Sequence, residues 1–475
     1  MQALQIHMAC PQCGGSVEIH ETDHVIDCPF CRVKTLLLPQ NVFQYYIPPK
    51  DGIDMPVVFF PYWRFRGLLF SIETEEIHSK MFDFNFRAGD WKEIPFSLGV
   101  RTQTLHVLPV HPEMNGRLIK EGMPLQEVMD RVHHMARASF EMRMKEKDEK
   151  ERKSKLNPGS ILTEQVDYFN EAATGTESMM LLNSFFEALQ GHTARDSTIP
   201  VQPARKLTYQ QEFIGETSSI VYFPFFKKNG QLMDGVINKP VLYKSDSVRT
   251  LDSLPQKAPV YSFKHQSLIC PHCGWDLHGY RDSVFFLCKN CEQGWMIFKN
   301  DLQACKYQFL KDMQEAIYLP FWKIKTESSG IGVQDYEHQK QRLFRFNEPS
   351  KEEIVFYVPA FRILTEIYLR LCRAFNSIHS DKTETEAYQT QRYFPATLPL
   401  SDAVESIFII LSHMSDSKKL ILENRDKIKI DARQAILEYH PFRQMGMELQ
   451  HPQMGFSFYK TAFRDLTKIE DLLSG

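Results

Sequence analysis

Three stretches of the chain repeat their apolar residues every three or four positions, as one face of an amphipathic helix does. They lie at 124–144, 361–378 and 401–414. Four other stretches are rich in aromatic residues and contain a proline, with the sequences FFPYW, YFPFF, YLPFW and YHPFR. Because proline has no N–H for a β ladder, we predict strands in which each proline lies at an edge, a bulge or a strand start.

These elements recur in the same order in both halves of the chain. Pro61 and its aromatic neighbours match Pro320, 259 residues further on. In a later strand, Pro224 matches Pro441 at a separation of 217, because the first half carries extra residues. Two copies of one plan usually pack with pseudo-twofold symmetry. We therefore interpret the chain as an internal duplication.

The residues beside these prolines allow two interpretations. Three aromatic residues and the cations that follow them could stack on bases or bind a peptide. They are Trp63, Trp322 and Phe225, with Arg64, Lys323 and Lys227. The alternative, which we favour, is that the aromatic residues belong to framework strands and the cations are solvated, because aromatic side chains in such runs are mostly core.

Composition and charge exclude several classes of protein. The chain has 475 residues, of which 43% are hydrophobic and 24% charged, as in an ordinary globular protein. It has 56 basic and 59 acidic residues, a net charge of -3. A protein that coats nucleic acid is normally more basic, so we do not favour nucleic-acid binding. We see no secretory signal and no transmembrane segment, and we expect a cytoplasmic protein.

Eight of the ten cysteines fall in two identical frames, CxxC-x14-CxxC. The predicted metal ligands are Cys10, Cys13, Cys28 and Cys31 in the first frame, and Cys270, Cys273, Cys288 and Cys291 in the second. Two CxxC pairs bring four thiolates to one ion and form a closed tetrahedral site. The glycine after the first pair of each frame, Gly14 or Gly274, suits the left-handed conformation of such a turn.

Residues between and after the pairs form short strand patterns. SVEIH and VIDC predict a hairpin in the first frame, with RVKTLLL as a third strand, and the second frame has the same pattern. Each frame resembles the zinc-ribbon family, whose modules dock proteins or nucleic acids. The resemblance implies one Zn²⁺ per frame and two per chain, with iron in a rubredoxin-like site as the less favoured alternative.

Other cysteines and histidines have no assigned role as ligands. Disulfides and thioredoxin-like redox activity are disfavoured, because we expect a reducing compartment and see no βαβ context. We expect Cys305 and Cys372 to be buried in apolar surroundings. The histidines near the frames are expected at the surface and outside the ligand set; they are His20, His24, His272 and His278.

From these patterns we predict an α+β fold of two pseudo-symmetric repeats. Each repeat is a three-stranded zinc ribbon followed by a mainly antiparallel β-sheet with packed helices. The predicted domains are a ribbon at 1–40, an α+β body at 41–257 with a helical insert at 141–203, a second ribbon at 258–300 and a second body at 301–475.

The predicted function is that of a non-enzymatic zinc-binding adaptor or scaffold with a protein partner. Common catalytic motifs are missing from the sequence, and a charged helix at 145–155 has no apolar face, as expected of a helix that projects toward a partner. One alternative is a nucleic-acid-binding ribbon protein of replication or transcription. The other is an enzyme or ligand binder with a site between the repeats.

Overall fold

The computed structural model describes most of the chain. The described residues are 5–39, 42–73, 76–91, 93–98, 107–124, 127–128, 209–241, 253–260, 263–311, 316–336, 341–377, 385–386 and 391–474. Of these residues, 50% lie in strands and 15% in helices. The predicted α+β class is therefore wrong, and the described structure is mainly β. None of its helices is long and apolar enough to cross a bilayer.

Ribbon 1, which we define as residues 5–39, consists of two hairpins. Its strands are β1 (Gln5–Ala9), β2 (Ser16–His20), β3 (Val25–Asp27) and β4 (Lys34–Pro39). β1 pairs with β2, and β3 pairs with β4, both antiparallel. The predicted hairpin between 16–20 and 25–27 is wrong, because each CxxC pair itself forms the turn of one hairpin.

Body 1 follows ribbon 1 and is built on a long antiparallel strand pair. Its strands are β5 (Phe43–Tyr46), β6 (Val57–Glu73), β7 (Ile77–Arg87), β8 (Leu108–Pro109), β9 (Arg117–Ile119), β10 (Tyr209–Lys228), β11 (Gln231–Asp234), β12 (Lys239–Pro240) and β13 (Gln256–Lys257). β6 and β10 pair along almost their whole length, with a bulge between Gly215 and Thr217. This pair is the centre of the first large sheet.

Ribbon 2, residues 263–304, precedes body 2. Its strands are β14 (Phe263–Ser267), β15 (Phe285–Leu287), β16 (Gly294–Phe298) and β17 (Asp301–Ala304). The strands of body 2 are β18 (Tyr307–Leu310), β19 (Ile317–Tyr336), β20 (Gln341–Pro359), β21 (Thr385–Glu386), β22 (Arg392–Tyr393), β23 (Lys429–Met445), β24 (Glu448–Gln450) and β25 (Ser457–Tyr459). Its α-helices are α1 (Thr365–Ser377), α2 (Leu400–Glu405), α3 (Ile407–His413), α4 (Lys418–Glu423) and α5 (Leu466–Ser474). Single 3-10 turns lie at Arg425–Lys427 and Lys460–Ala462.

The two bodies have the same pairing order. β6 lies between β10 on one side and β7 with β9 on the other, and β19 lies in the same way between β23 and β20 with β22. Matching tryptophans also make matching bonds. Trp63 Nε1 donates to the carbonyl of Met123 at 3.0 Å, and Trp322 Nε1 donates to that of Leu398 at 2.9 Å. The repeat thus extends from strand order to single hydrogen bonds.

Each of the four repeated prolines lies where one side of its strand changes neighbour. At Pro61 the neighbour of β6 changes from β9 to β7, and at Pro320 that of β19 changes from β22 to β20. At Pro224 the neighbour of β10 changes from β5 to β11, and at Pro441 that of β23 changes from β18 to β24. These are central strands, so the predicted edge, bulge or strand start is wrong.

We call the position at which one side of a strand changes neighbour a seam. A residue without an N–H is tolerated at a seam. In an antiparallel ladder, the N–H and C=O of one residue point to the same neighbour. The carbonyls of Pro61 and Pro320 accept from the N–H groups of Ala88 and Ala360, at 2.8 and 2.9 Å, on the side of β7 and β20. The proline nitrogens therefore face the seam, where a ladder is already interrupted.

The strands extend well beyond the apolar runs from which they were predicted. β19 continues through the polar sequence TESSGIGVQDY, with a register shift between Ser329 and Ile331 and a left-handed Gly330 (φ 77°). Small and polar residues carry little sequence indication of a strand, so the β content was underestimated. The predicted helices at 361–378 and 401–414 correspond to α1 and to α2 with α3. Nearly all of the predicted helix at 124–144, the insert at 141–203 and the charged segment 145–155 lie outside the described residues.

Candidate metal centres

Each cysteine cluster is formed by two turns of the same geometry. In the first turn, the N–H of Cys10 donates to the carbonyl of Gly15 at 2.7 Å, and the N–H of Gly14 donates to the carbonyl of Cys10 at 2.8 Å. The turn that begins at Cys270 has the same two bonds, at 2.7 and 2.8 Å. These bonds fix the backbone so that both cysteines of a pair point to the same side.

The fourth residue after the first cysteine of each turn is left-handed. Gly14 and Gly274 have φ of 73° and 74°, as expected for glycine at this place. The second turns contain Arg32 and Glu292 there, with φ of 60° and 56°. A left-handed conformation costs a non-glycine residue roughly 1–2 kcal/mol, so these turns need another stabilising term.

The sulfur positions fit a tetrahedral ion. The clusters are Cys10, Cys13, Cys28 and Cys31, and Cys270, Cys273, Cys288 and Cys291. Within each cluster all four sulfurs lie within 4.8 Å of one another. Two facing pairs are 3.9 and 3.7 Å apart in ribbon 1 and 3.6 and 3.5 Å apart in ribbon 2. Four sulfurs about 2.3 Å from one ion would be about 3.8 Å apart, so both clusters could hold a metal ion.

The thiols of each cluster differ in acidity. A hydrogen bond from the backbone of Cys31 lowers the pKa of Cys28 to about 7, and one from the side chain of Asn290 lowers the pKa of Cys273 to about 6. Desolvation and the neighbouring sulfurs raise the pKa of Cys291 to about 12. Only a cation among the sulfurs would allow all four to ionise near neutral pH.

Histidines do not join either cluster among the described residues. His24 is partly buried, where the sequence predicted the surface, and burial together with the charge of Arg362 lowers its pKa to about 4. Cys305 and Cys372 are buried, with 7% and 0% exposure. The chemistry of the two centres is thus that of thiolates alone.

The ribbons are joined to each other. β14 of ribbon 2 pairs with β4 of ribbon 1 from Ser267 opposite Thr35 to Phe263 opposite Pro39. The carbonyl of Arg281 also accepts from the backbone of ribbon 1. The residues of their shared apolar core are Val25, Leu36, Leu38, Leu268, Cys270, Leu277, Phe286, Cys288 and Leu302. The core includes two of the predicted ligands, so the metal centres and the contact between the ribbons depend on the same residues.

A buried ionic cluster connects ribbon 1 to body 1. Arg64 makes two hydrogen bonds to Asp83, at 2.8 and 3.0 Å, and one to Glu21 at 2.7 Å. The side chains of Arg64, Glu21 and Asp83 are 1%, 0% and 2% exposed. Ser219 donates to the second oxygen of Glu21 at 2.7 Å. Burial alone would lower the pKa of Arg64, but the two carboxylates raise it.

The prediction that the cations beside the prolines are solvated is therefore wrong for Arg64. A guanidinium inside an apolar run needs a buried carboxylate, and this requirement could have been recognised from sequence. Glu21 and Asp83 could not have been chosen as its partners, because they lie 43 and 19 residues away. Trp63, Trp322 and Phe225 are buried, at 6%, 1% and 0% exposure, as framework residues are.

Body 2 has a different polar cluster near the matching position. Lys323 lies 3.3 Å from Glu438, which also accepts from Gln308 and has Nε2 of His440 at 3.0 Å. Burial alone would raise the pKa of Glu438, but His440 and Lys323 lower it to about 2. Beyond His440 lies His451, with 2% exposure and its ring 5.7 Å from that of His440.

Comparison with protein-family models, with curated proteins and with solved structures finds no match to this chain. The site therefore has to be interpreted from its own chemistry.

Proposed function

We propose that the protein is a non-enzymatic, zinc-binding scaffold that acts through contacts with a protein partner. The observation that carries this proposal is that each centre offers four cysteine sulfurs at tetrahedral spacing. A catalytic zinc site keeps one position open for water or substrate, whereas a site with four cysteine ligands is closed. The two ions would stabilise the ribbons, which are too small to have large cores of their own.

Exposed aromatic residues beside the metal turns support a protein partner. Phe30, between two ligands of ribbon 1, is 66% exposed, and Trp275, next to Gly274 in ribbon 2, is 56% exposed. Large aromatic side chains are enriched in protein interfaces. We propose that these ribbon tips, Phe30 and Trp275, form the docking surface.

The alternatives have weaker support. Residues 1–40 contain two basic and four acidic residues, and 260–299 contain four and three, so neither ribbon as a whole is strongly basic, as a nucleic-acid-binding module would be. A cavity lies between the bodies, beside Phe70, Phe361 and Asp402, but its volume of about 40 Å³ holds only a few water molecules. A substrate would not fit in this cavity between the two bodies; a larger cleft lies between the ribbons and body 2.

Metal analysis tests the zinc proposal directly. Protein purified without added metal should contain two zinc ions per chain by elemental mass spectrometry. Iron in place of zinc would contradict the choice of metal, and less than one ion of any metal would contradict the ribbon assignment.

Partner capture tests the scaffold proposal. Immobilised protein should retain one stoichiometric protein from native lysate. The double change Phe30→Ser and Trp275→Ser should abolish retention, whereas Met445→Ser, at a 61% exposed residue outside the ribbons, should not. Equal capture by both variants would contradict docking at the ribbon tips. Deleting 145–155 tests the charged segment as a second contact.

A further inference from the structure

A cleft of about 860 Å³ lies between the two ribbons and body 2. Ribbon 1 contributes Lys34 and Asp27 to its lining, and ribbon 2 contributes Arg281 and Lys289. Arg392, on β22, lines it from body 2. Its volume lies within the range of roughly 300–1,000 Å³ that is typical of small-molecule sites.

The lining is strongly cationic in a chain that is slightly acidic. Four cations line the cleft, and Asp27 is the one acidic residue among the lining residues. Asp23 lies 4.0 Å from Arg281, so the local charge with Asp23 included is +2, against -3 for the whole chain. Lys34 lies 3.6 Å from Asp27, and both side chains remain partly exposed, so their pairing is loose. Lys289 is exposed at the rim. A concave cationic surface attracts an anion more strongly than a flat one.

Aromatic side chains stand beside these cations. Tyr280 and Tyr393 line the cleft and are partly exposed, and Phe285 forms a buried part of its wall. Rings of this kind stack on the flat face of a heterocycle. We propose that the cleft binds a small phosphate-bearing ligand of the nucleotide class, with its phosphates against the cations and its base against a tyrosine ring.

The charge distribution favours a small ligand over a nucleic-acid strand. Three of the six cations in 1–40 and 260–299 line the cleft, but only one of the seven acidic residues there does. Outside the cleft, the ribbons therefore carry a net negative charge. A nucleic-acid strand that extended beyond the cleft would be repelled by this negative charge, whereas a single nucleotide would lie wholly within the cleft.

Arg281 connects ligand binding in the cleft to the contact between the two ribbons. Its carbonyl accepts from the backbone N–H groups of His24 and Val25 at 2.6 and 2.8 Å, and its side chain donates to the carbonyl of Glu18 at 3.3 Å. It therefore joins ribbon 2 to ribbon 1 at the wall of the cleft. A phosphate bound beside Arg281 would hold the ribbons together more firmly and raise the unfolding temperature.

Titration calorimetry of the full-length, zinc-loaded protein tests the proposal with ATP, pyrophosphate, adenosine and an oligothymidylate as probes. ATP should bind at one site per chain, more weakly as salt rises. Pyrophosphate should bind more weakly than ATP, and adenosine at least about tenfold more weakly. Lys289→Glu should weaken ATP binding about tenfold. The matched control Lys264→Glu, an exposed cation of ribbon 2 outside the cleft lining, should bind ATP as the wild type does.

Three results would overturn the proposal. One is the absence of saturable binding of ATP and pyrophosphate at millimolar concentration, and another is an equal loss in Lys289→Glu and Lys264→Glu. The third is binding of the oligothymidylate alone, which would indicate a nucleic-acid strand. Because Lys289 lies beside a metal ligand, Arg392→Gln in body 2 is the second variant, with the same expected loss. Zinc content measured in each variant separates failure of this site from failure of the metal centres.

Discussion

The two ribbons are attached to their bodies in different ways. Ribbon 1 places Glu21 against Arg64 of body 1, in a cluster of fully buried charges. Ribbon 2 packs Val284, Phe285 and Leu287 into the apolar core of body 2, and Lys323, which matches Arg64, bonds to a carboxylate of its own body. The two halves thus share ladders, prolines and tryptophan bonds, whereas their buried polar groups differ. Backbone pairing constrains the shared ladders, prolines and tryptophan bonds. Only local charge balance constrains the buried polar groups.

The largest expected effect comes from removing a metal ligand in one ribbon. Cys13→Ser should leave one zinc ion per chain, the ion of ribbon 2. Zinc bound by four thiolates stabilises a folded site by about 10–16 kcal/mol, and the contact between the ribbons cannot replace this stabilisation in ribbon 1. The remaining ion should nevertheless be lost to a chelator faster than from the wild type, because ribbon 2 shares its core and the pairing of β14 with ribbon 1. Zinc release followed with a coloured chelator measures this rate.

The reverse variant, Cys273→Ser, is the matched control and should loosen the ion of ribbon 1 in the same way. Release of the remaining ion at the wild-type rate in both variants would mean that the ribbons are independent. Loss of both ions from either variant would mean that they fold only together.

The second prediction compares the two clusters directly. Arg64→Ala leaves two buried carboxylates without a cation and should lower the free energy of unfolding by about 3–5 kcal/mol. Lys323→Ala should cost about 1 kcal/mol, because the lysine side chain is 32% exposed and Glu438 keeps its other neighbours. Denaturant unfolding measures both values. Similar losses would contradict the view that only body 1 depends on a buried cation.

A third prediction concerns pH. Burial and the neighbouring His440 lower the pKa of His451 from 6.5 to about 3. Between about pH 3 and pH 6.5 the unfolded chain therefore binds more protons at this histidine than the folded chain does. The contribution of His451 to stability is complete above about pH 6.5 and is lost as the pH falls toward 3. By about pH 4 the loss should be roughly 2–4 kcal/mol.

The variant that isolates this effect is His451→Asn. Nδ1 of His451 lies 3.3 Å from the N–H groups of Gln453 and Met454 and accepts from both, and the asparagine oxygen can replace it without titrating. Unfolding experiments at several pH values should show a shallower acid loss in the variant. An unchanged pH slope would assign the acid sensitivity to other groups. The Arg64 cluster contains no histidine, so we expect body 2 to lose more stability in mild acid than body 1.

The sequence predicted the local features better than the distant ones. The cysteine clusters follow from two tight turns, each defined by four or five residues, and the structure brings together the same eight cysteines. The pairing of β14 with β4 joins residues more than 200 positions apart and has no local pattern. The β content was underestimated for a related reason, since strands such as β19 continue through polar residues whose place in the sheet is set by neighbouring strands.

The smallest expected effect tests whether the proline seams are equivalent. Pro61→Ala and Pro320→Ala should each cost about 0.4–1 kcal/mol, because alanine gives the unfolded chain more freedom, and the new N–H faces an interrupted ladder. The two costs should agree within about 0.5 kcal/mol, since both seams have the same neighbours and the same carbonyl bond. Denaturant unfolding of the two variants provides the comparison. Unequal costs would show that the two seams differ in stability, as the two polar clusters differ in composition. The same strand pairing would then not imply the same contribution to the free energy of unfolding.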